Sequence, residues 1–376
     1  MTSAPLNLRA LNRALLERQL LLRRPALPEP GDRAGGVIAA VEHLVGLQAQ
    51  APFPPYYGLC SRLDGFRPGD LAELITGRQV VRIALMRGTI HLVSARDCLT
   101  LRPVLQPVLD RALRTTFGRR LTGVDQAALA AAGRALVEEK PRTFSDLGRE
   151  LARQWPGHDP AALAQGVRAL VPLVQVPPRA VWGAAGQATH TSAEAWLGRP
   201  MPDPRPLEPL VTRYLAAFGP ATVGDIQAWS GLTGLREVAD RLRPGLRTFR
   251  DEHGGELLDL PDAPLPDPDT PAPVRLVAEF DNLLLAHADR ARVLSEPRRR
   301  QLFARPNTWP GAVLVDGFVH GSWKITRVGA SAVLTVELFG PAAAADRDAV
   351  LEEGRRLLAF AAPEADGHDV RFGPPP

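Results

Sequence analysis

Val80-Val-Arg-Ile-Ala-Leu-Met-Arg-Gly-Thr-Ile-His-Leu-Val93 is the stretch that decides the fold. Val80–Met86 and Thr89–Val93 are dominated by β-branched and other apolar residues, and Arg87-Gly88 between them supplies a reversal. The spacing predicts a two-stranded hairpin. Helical segments come before it. Leu6–Arg24 sets Leu8, Leu11, Leu15, Leu16 and Leu20 at helical spacing among charges, Pro25–Asp32 is a proline-rich break, and Arg33–Leu47 is a second helix. Tyr57–Leu63 is a short helical piece after the Pro52–Pro55 turn, and Pro68–Thr76 carries Asp70 near its start and ends at Gly77. Helices followed by a hairpin describe a winged-helix unit, a helix-turn-helix with a β wing.

The pattern recurs along the chain. Thr143-Phe-Ser-Asp146-Leu147 and Thr222-Val-Gly-Asp225-Ile226 share a start in which threonine caps the first amides and the acid three residues on meets the positive helix end. Each follows a longer helix (Asp125–Glu139, Leu207–Phe218) and precedes another (Asp159–Leu170, Leu235–Leu242). Strands are expected next: Val171–Val176 with Ala180–Trp182, and Leu246–Arg250 with Glu256–Leu260 around His253-Gly-Gly255. Pro261–Pro273 reads as a linker. Beyond it the texture turns to strands, Val274–Ala278, Ala312–Val315, Phe318–Thr326 and Ala332–Leu338, with Asp316-Gly317 as a hairpin signal. Asp346–Ala361 is a helix, Asp369–Phe372 a last strand, and Pro374–Pro376 a disordered tail. The expected class is α+β. Three tandem winged-helix units, 1–119, 120–204 and 205–262, precede a small β-barrel-like domain at 274–376.

Among 376 residues, 45% are hydrophobic and 23% charged, ordinary for a soluble globular protein. The net charge is +4, and Lys140 and Lys324 are the only lysines among 45 basic residues. Arginine forks suit phosphates, although such a composition also follows from a GC-rich genome. Cys60 and Cys98 make neither a disulfide framework nor a zinc site, and the eight histidines are scattered, so no metal or cofactor is expected. No signal peptide and no apolar run of membrane-spanning length stands out, and the chain reads as cytoplasmic and monomeric.

Leu44-Val-Gly-Leu-Gln-Ala-Gln-Ala-Pro-Phe-Pro-Pro55 holds the candidate chemistry. Gln48 and Gln50 do not share one helix face at spacing two. They suit a helix end, where two amides converge on one small object such as a water; the plain alternative is an exposed helix C-terminus. Arg78, Arg82, Arg87, Arg243, Arg247 and Arg250 fall where wings meet a nucleic-acid backbone, or else on solvated faces. His91 is a contact to phosphate or lesion, or a satisfied buried histidine. Asp281, Asn282, His287, Asp289 and Arg290 form a polar loop inserted into a groove, or turn formers with a local Asp289–Arg290 ion pair. Trp182, Trp229, Trp309 and Trp323 read as core.

Gly46-Leu-Gln48-Ala-Gln50, Met86-Arg-Gly-Thr-Ile-His91-Leu and Glu279-Phe-Asp-Asn-Leu-Leu-Leu-Ala-His287-Ala-Asp289-Arg290 stand in one order. Together they resemble the winged-helix DNA glycosylases of the AlkZ/YcaQ kind. The likeness runs from the Leu11-Asn-Arg…Arg18-Gln helix to Val313–Arg327. It implies three winged helices and a β-barrel around alkylated duplex DNA, with Gln48 and Gln50 as the catalytic pair. It further implies excision of N7-alkylguanine, including bulky natural-product adducts or interstrand crosslinks, in antibiotic self-resistance. Arg87, His91, Asn282, His287, Arg290 and Arg247 are then the expected DNA contacts. An N7-alkylguanine is already a cationic leaving group, so the sugar needs a placed water more than a strong base. Two amide carbonyls can hold that water. With two lysines in the chain, Schiff-base strand cleavage is not expected. The rival readings are a non-catalytic winged-helix regulator or lesion-binding shield and, further off, a metal-dependent nuclease.

Overall fold

The first helix is Leu8–Arg18, capped by Asn7, whose side chain accepts from the Ala10 amide at 2.8 Å. The computed structural model describes residues 5–28, 31–305 and 308–374; residues 375 and 376 of the terminal proline tail lie outside the described residues. Beyond its first turn most of this helix is buried, Leu11, Leu15 and Leu16 and also Asn12, Arg13 and Arg18, while Leu8 is exposed. Arg18 forks onto Asp259 at 2.6 and 2.8 Å, and Arg13 donates to the Thr270 carbonyl at 2.7 Å. Arg18 also reaches the Pro264 carbonyl at 3.0 Å, and Arg9 the Pro268 carbonyl at 2.8 Å. Pro261–Pro273 is therefore a strap bound to the N-terminal helix rather than a free linker.

Helix Arg33–His43 stops earlier than its apolar run suggests. Val45 and Gly46 adopt φ of 53° and 88°, and the Gly46 amide donates back to the Val41 carbonyl at 2.8 Å, a left-handed helix exit. A Cβ at Gly46 would sit 2.6 Å from Val93 Cγ1, so only glycine fits there. The chain then enters a strand, β1 (Leu47–Gln48). The expected hairpin is present as β2 (Val80–Ala84) and β3 (Ile90–Ser94), joined by a 3-10 turn at Met86–Gly88.

The second expected hairpin differs. β4 (Leu173–Gln175) pairs with β5 (His190–Ser192), and Ala180–Trp182 is a turn. Pro177 and Pro178 offer no amide to a ladder, and Ala180 has φ 66°, which no strand tolerates. Trp182 instead packs on Tyr56 at 4.9 Å and Phe53 at 5.4 Å. Arg82↔Gln175 and Ile83↔Val174 join the two hairpins into one sheet of order β1-β3-β2-β4-β5. Its pleat sends Leu47 and Leu92 to one core, Ile83 and Val174 to another.

Thr143 and Thr222 cap their helices as expected: each hydroxyl accepts from the amide three residues on, at 3.1 and 3.0 Å. β6 (Arg247–Arg250) and β7 (Glu256–Asp259) form a separate hairpin. The C-terminal strands are β8 (Arg275–Val277), β9 (Gly311–Val315), β10 (Phe318–Val328), β11 (Ser331–Leu338) and β12 (Gly367–Phe372). They make an open sheet, order β12-β11-β10-β9-β8, and not a closed barrel. β8 and β12 are its two edges, and helix Ala344–Ala361 lies across the face, with Gly354 against Val370 and Leu334. A helix covering the sheet buries its apolar side without closure. Asp316 and Gly317 both have positive φ, 47° and 82°, the geometry of a tight hairpin turn.

Candidate functional site

Gln48 is 8% exposed and lies on β1, directly across from His91 on β3. Its side-chain carbonyl Oε1 accepts from Arg87 Nη2 at 2.7 Å. The same Nη2 donates to Asn282 Oδ1 at 3.1 Å, and Arg87 Nη1 donates to the Trp229 carbonyl at 2.6 Å. Asn282 Nδ2 in turn donates to the Gly46 carbonyl at 3.3 Å, which closes the ring. One guanidinium thus ties together four segments remote in sequence. Arg87 reaches them from a left-handed backbone (φ 56°), and Gly231 leaves room for it: a Cβ there would lie 3.2 Å from Arg87 Cα. Burial lowers Arg87 to about 10, with Arg290 adding in the same direction, so it stays charged at neutral pH.

Gln50 is exposed, two residues on. Its Oε1 accepts from the Ile90 amide at 3.3 Å, while the Ala49 amide donates to the Ile90 carbonyl at 2.7 Å. The loop is braced from beneath by Arg82, whose Nη2 donates to Ala49 O at 2.6 Å and Ala51 O at 3.3 Å. The pair therefore sits on a strand end, not a helix end. β1 ends at Gln48, and Gln50 follows two residues on in a bend, its side chain held to the edge of β3 through the Ile90 amide. An amide oxygen carries two lone pairs, so each glutamine retains one for a further partner.

Other expected contacts fare differently. His91 is fully buried at 0% exposure, its Nδ1 meeting the Thr89 carbonyl at 3.1 Å. Burial first, and then Arg87, push it down to about 3. It is a neutral, buried neighbour of Gln48 across the strand pair and cannot touch phosphate from there. His287 is also buried, bonded to the Phe218 carbonyl at 3.0 Å and held neutral by burial, so its expected DNA contact has no geometric basis. Asn282 is buried and spends its amide on Arg87 and Gly46, which makes it a support for Gln48 rather than a groove probe. Asp281 forms a buried fork with Arg62, 2.8 Å at each oxygen. Arg82 is likewise internal.

Two of the expected cations remain available. The half-buried Arg290 guanidinium has no hydrogen bond or ion pair among the described residues, and Asp289 caps the Ala291 amide at 2.9 Å instead of pairing with it. Arg247 is exposed, 4.8 Å over the Phe249 ring, and its Nη1 donates to the Pro261 carbonyl at 3.2 Å, longer than the bonds that hold Arg78 and Arg250. Arg243 is tied to Glu256 at 2.7 Å, Arg250 to the Gly254 carbonyl at 2.6 Å, and Arg78 to Trp196. Among the described residues no group of His, Cys, Asp and Glu side chains is arranged to hold a metal ion. None of their helices is long and apolar enough to cross a membrane.

A family model described as AlkZ-like, DNA glycosylase AlkZ-like, matches residues 41–360, which include Gln48, Gln50, Arg87 and Asn282. The chain belongs to the AlkZ-like DNA glycosylase family. Within that family, an interstrand DNA cross-link repair glycosylase of Streptomyces sahachiroi is 30% identical over 139 residues, 33% of this chain. That match spans only 36% of the relative's length. The solved structure of Streptomyces sahachiroi DNA glycosylase AlkZ superposes with a TM-score of 0.77 at 20% identity, covering 98% of this chain and 100% of the other. The AlkZ-like chain described here therefore has the same overall fold.

Proposed function

We propose that this AlkZ-like protein is a monofunctional DNA glycosylase that hydrolyses the N-glycosidic bond of cationic N7-alkylguanine, including bulky or crosslinked adducts. The observation that carries the reading is the fixed Gln48 amide, pinned by Arg87 and Asn282 beside the exposed Gln50. In this reading residues 1–119, 120–204 and 205–262 are winged-helix units, the first two fused through one sheet, and 274–376 is the C-terminal unit. A monomer of this shape meets duplex DNA with Arg290 and Arg247, two cations that make no ion pair among the described residues.

The two amides hold one water by its hydrogens and leave an oxygen lone pair facing C1′ of the sugar. As the water oxygen bonds to C1′, the C1′–N9 bond breaks and its electron pair passes to the base, cancelling the positive charge. The surplus proton goes to solvent, which Gln50 meets directly. The Arg87 charge gives no direct help to an oxocarbenium-like sugar; its part is to hold the amide still. Lys140 and Lys324 are the only amines on side chains, and neither borders Gln48 in the hydrogen-bond ring, so no Schiff-base strand nicking is expected.

The test is incubation with duplex DNA carrying N7-methylguanine, followed by mass detection of free base and alkali cleavage. Wild type should release the base without nicking and without trapping by borohydride, and Gln48→Ala and Gln50→Ala should not release it. Binding without release would instead identify a regulator or lesion shield.

A further inference from the structure

Beyond β8 the chain does two things within four residues. Phe280 takes a left-handed backbone, φ 60°, costly for an aromatic residue, and its ring stacks on Trp309 with centroids 5.1 Å apart. Asp281 and Asn282 then turn the other way, to Arg62 and to Arg87. Glu279 precedes this kink and borders a cavity of about 300 Å³ between Tyr57, Trp309, Trp323 and Lys324. Three Cα steps separate Glu279 from Asn282, so cavity wall and Gln48 support lie within ~11 Å of each other.

The walls are unusual in what they leave unpaired. The Glu279 carboxylate and the Tyr57 hydroxyl have no hydrogen bond or ion pair among the described residues. Burial raises Glu279 and pushes Tyr57 up to about 12. Trp323 is spent, its indole N–H donating to the Val277 carbonyl at 2.9 Å. Trp309, expected in the core, is 43% exposed at the rim, with Phe280 and Phe303 behind it. An exposed indole rim, an unpaired acid and a volume near the lower end for small-molecule sites make a place for a flat group carrying a donor.

We infer that this cavity receives the appended part of a guanine adduct, an aromatic ring bearing an amine or other strong hydrogen-bond donor, with Trp309 as stacking surface and Glu279 as anchor. This rests on the glycosylase reading and deepens it. Gln48, Gln50, Arg87 and Asn282 do not line the cavity. A group that fills it must therefore extend from the base, not be the base.

The full-length protein is titrated, by intrinsic fluorescence and calorimetry, with free 7-[4-(aminomethyl)benzyl]guanine, 7-benzylguanine and 7-methylguanine. The first should bind about tenfold or more tighter than the last, an aromatic contact and a charged hydrogen bond together. Glu279→Gln should erase the advantage of the amine over the plain benzyl group. Trp309→Ala should erase that of benzyl over methyl, and Trp309→Phe should restore most of it. In single-lesion duplexes the wild type should show a lower KM for the aminomethylbenzyl lesion than for methyl, with similar kcat. Equal affinity for all three bases, or a preference that survives both Glu279→Gln and Trp309→Ala, overturns the inference. Absence of release from every lesion refutes the glycosylase reading alone, because free-base binding still reports on the cavity.

Discussion

Replacing Arg87 by methionine keeps much of the side chain's bulk and removes three donations, to Gln48 Oε1 at 2.7 Å, Asn282 Oδ1 at 3.1 Å and the Trp229 carbonyl at 2.6 Å. Hydrogen bonds from a charged donor contribute about 1.5–3 kcal/mol each, and a buried acceptor left alone costs about 1–3 kcal/mol. Against this, folding strips water from the guanidinium, as its downward shift shows, and the variant recovers that cost. The net loss of stability should therefore be modest, about 1–2 kcal/mol, well below the simple sum of three bonds. The catalytic effect should be larger. A freed Gln48 samples several rotamers, and misplacement by about 1 Å can cost on the order of 100-fold. Urea unfolding gives the first number and single-turnover release of N7-methylguanine the second. Arg87→Lys, with a point charge in place of a planar fork, should recover only part of the rate. A folded Arg87→Met variant that releases base at the wild-type rate would refute the claim that Gln48 must be held.

Other consequences follow from the same contacts. Arg18→Met alone leaves Asp259 buried and unpaired, so it should cost about 3–5 kcal/mol in urea unfolding, whereas Arg18→Met with Asp259→Leu should recover much of that loss. Loss of stability no greater than that of a surface arginine would show that the N-terminal helix is not the pin described. His91 falls from its ordinary 6.5 to about 3 on folding, so between these values the unfolded chain binds the extra proton and stability declines as pH drops. His91→Phe should flatten the stability–pH slope across pH 4–6 by up to about 1.4 kcal/mol per pH unit; an unchanged slope would mean the ring is not buried neutral. The protein's own groups should leave base release nearly independent of pH from about 5 to 9, because His91 is already neutral and Arg87, near 10, still charged. A sigmoid in that range that differs from loss of the lesion's own N1 proton would point to a general base outside the described site.

Much of the layout was legible because its signals are local. Pro68–Thr76 begins and ends where proline and glycine say, Thr143 and Thr222 cap as threonines do, and Asp316-Gly317 turns with both φ positive. What could not be read was set by distance. The strand character of Leu47–Gln48 comes from pairing with Leu92 and His91, over forty residues away, and nothing in Leu44–Pro55 announces it. Open sheet and closed barrel share one strand pattern, and the choice is made by the helix Ala344–Ala361 over the face. Gln48 and Gln50 stood out as a pair, but the partners that position Gln48 did not. Arg87 and Asn282 read as outward-facing DNA contacts, and the Trp229 carbonyl carries no sequence signal at all. His91 and His287 misled for the opposite reason: a histidine's burial is invisible in its own neighbourhood.

The central claim is that two neutral amides deliver the water. It is tested most directly by single-turnover release of N7-methylguanine at saturating protein, comparing wild type with a Gln48→Leu/Gln50→Leu variant whose affinity for the lesion duplex is measured alongside. Release slowed by at least about 100-fold, with affinity within a few-fold of wild type, is the expected result. Release within about twofold of wild type from the doubly substituted protein would contradict it.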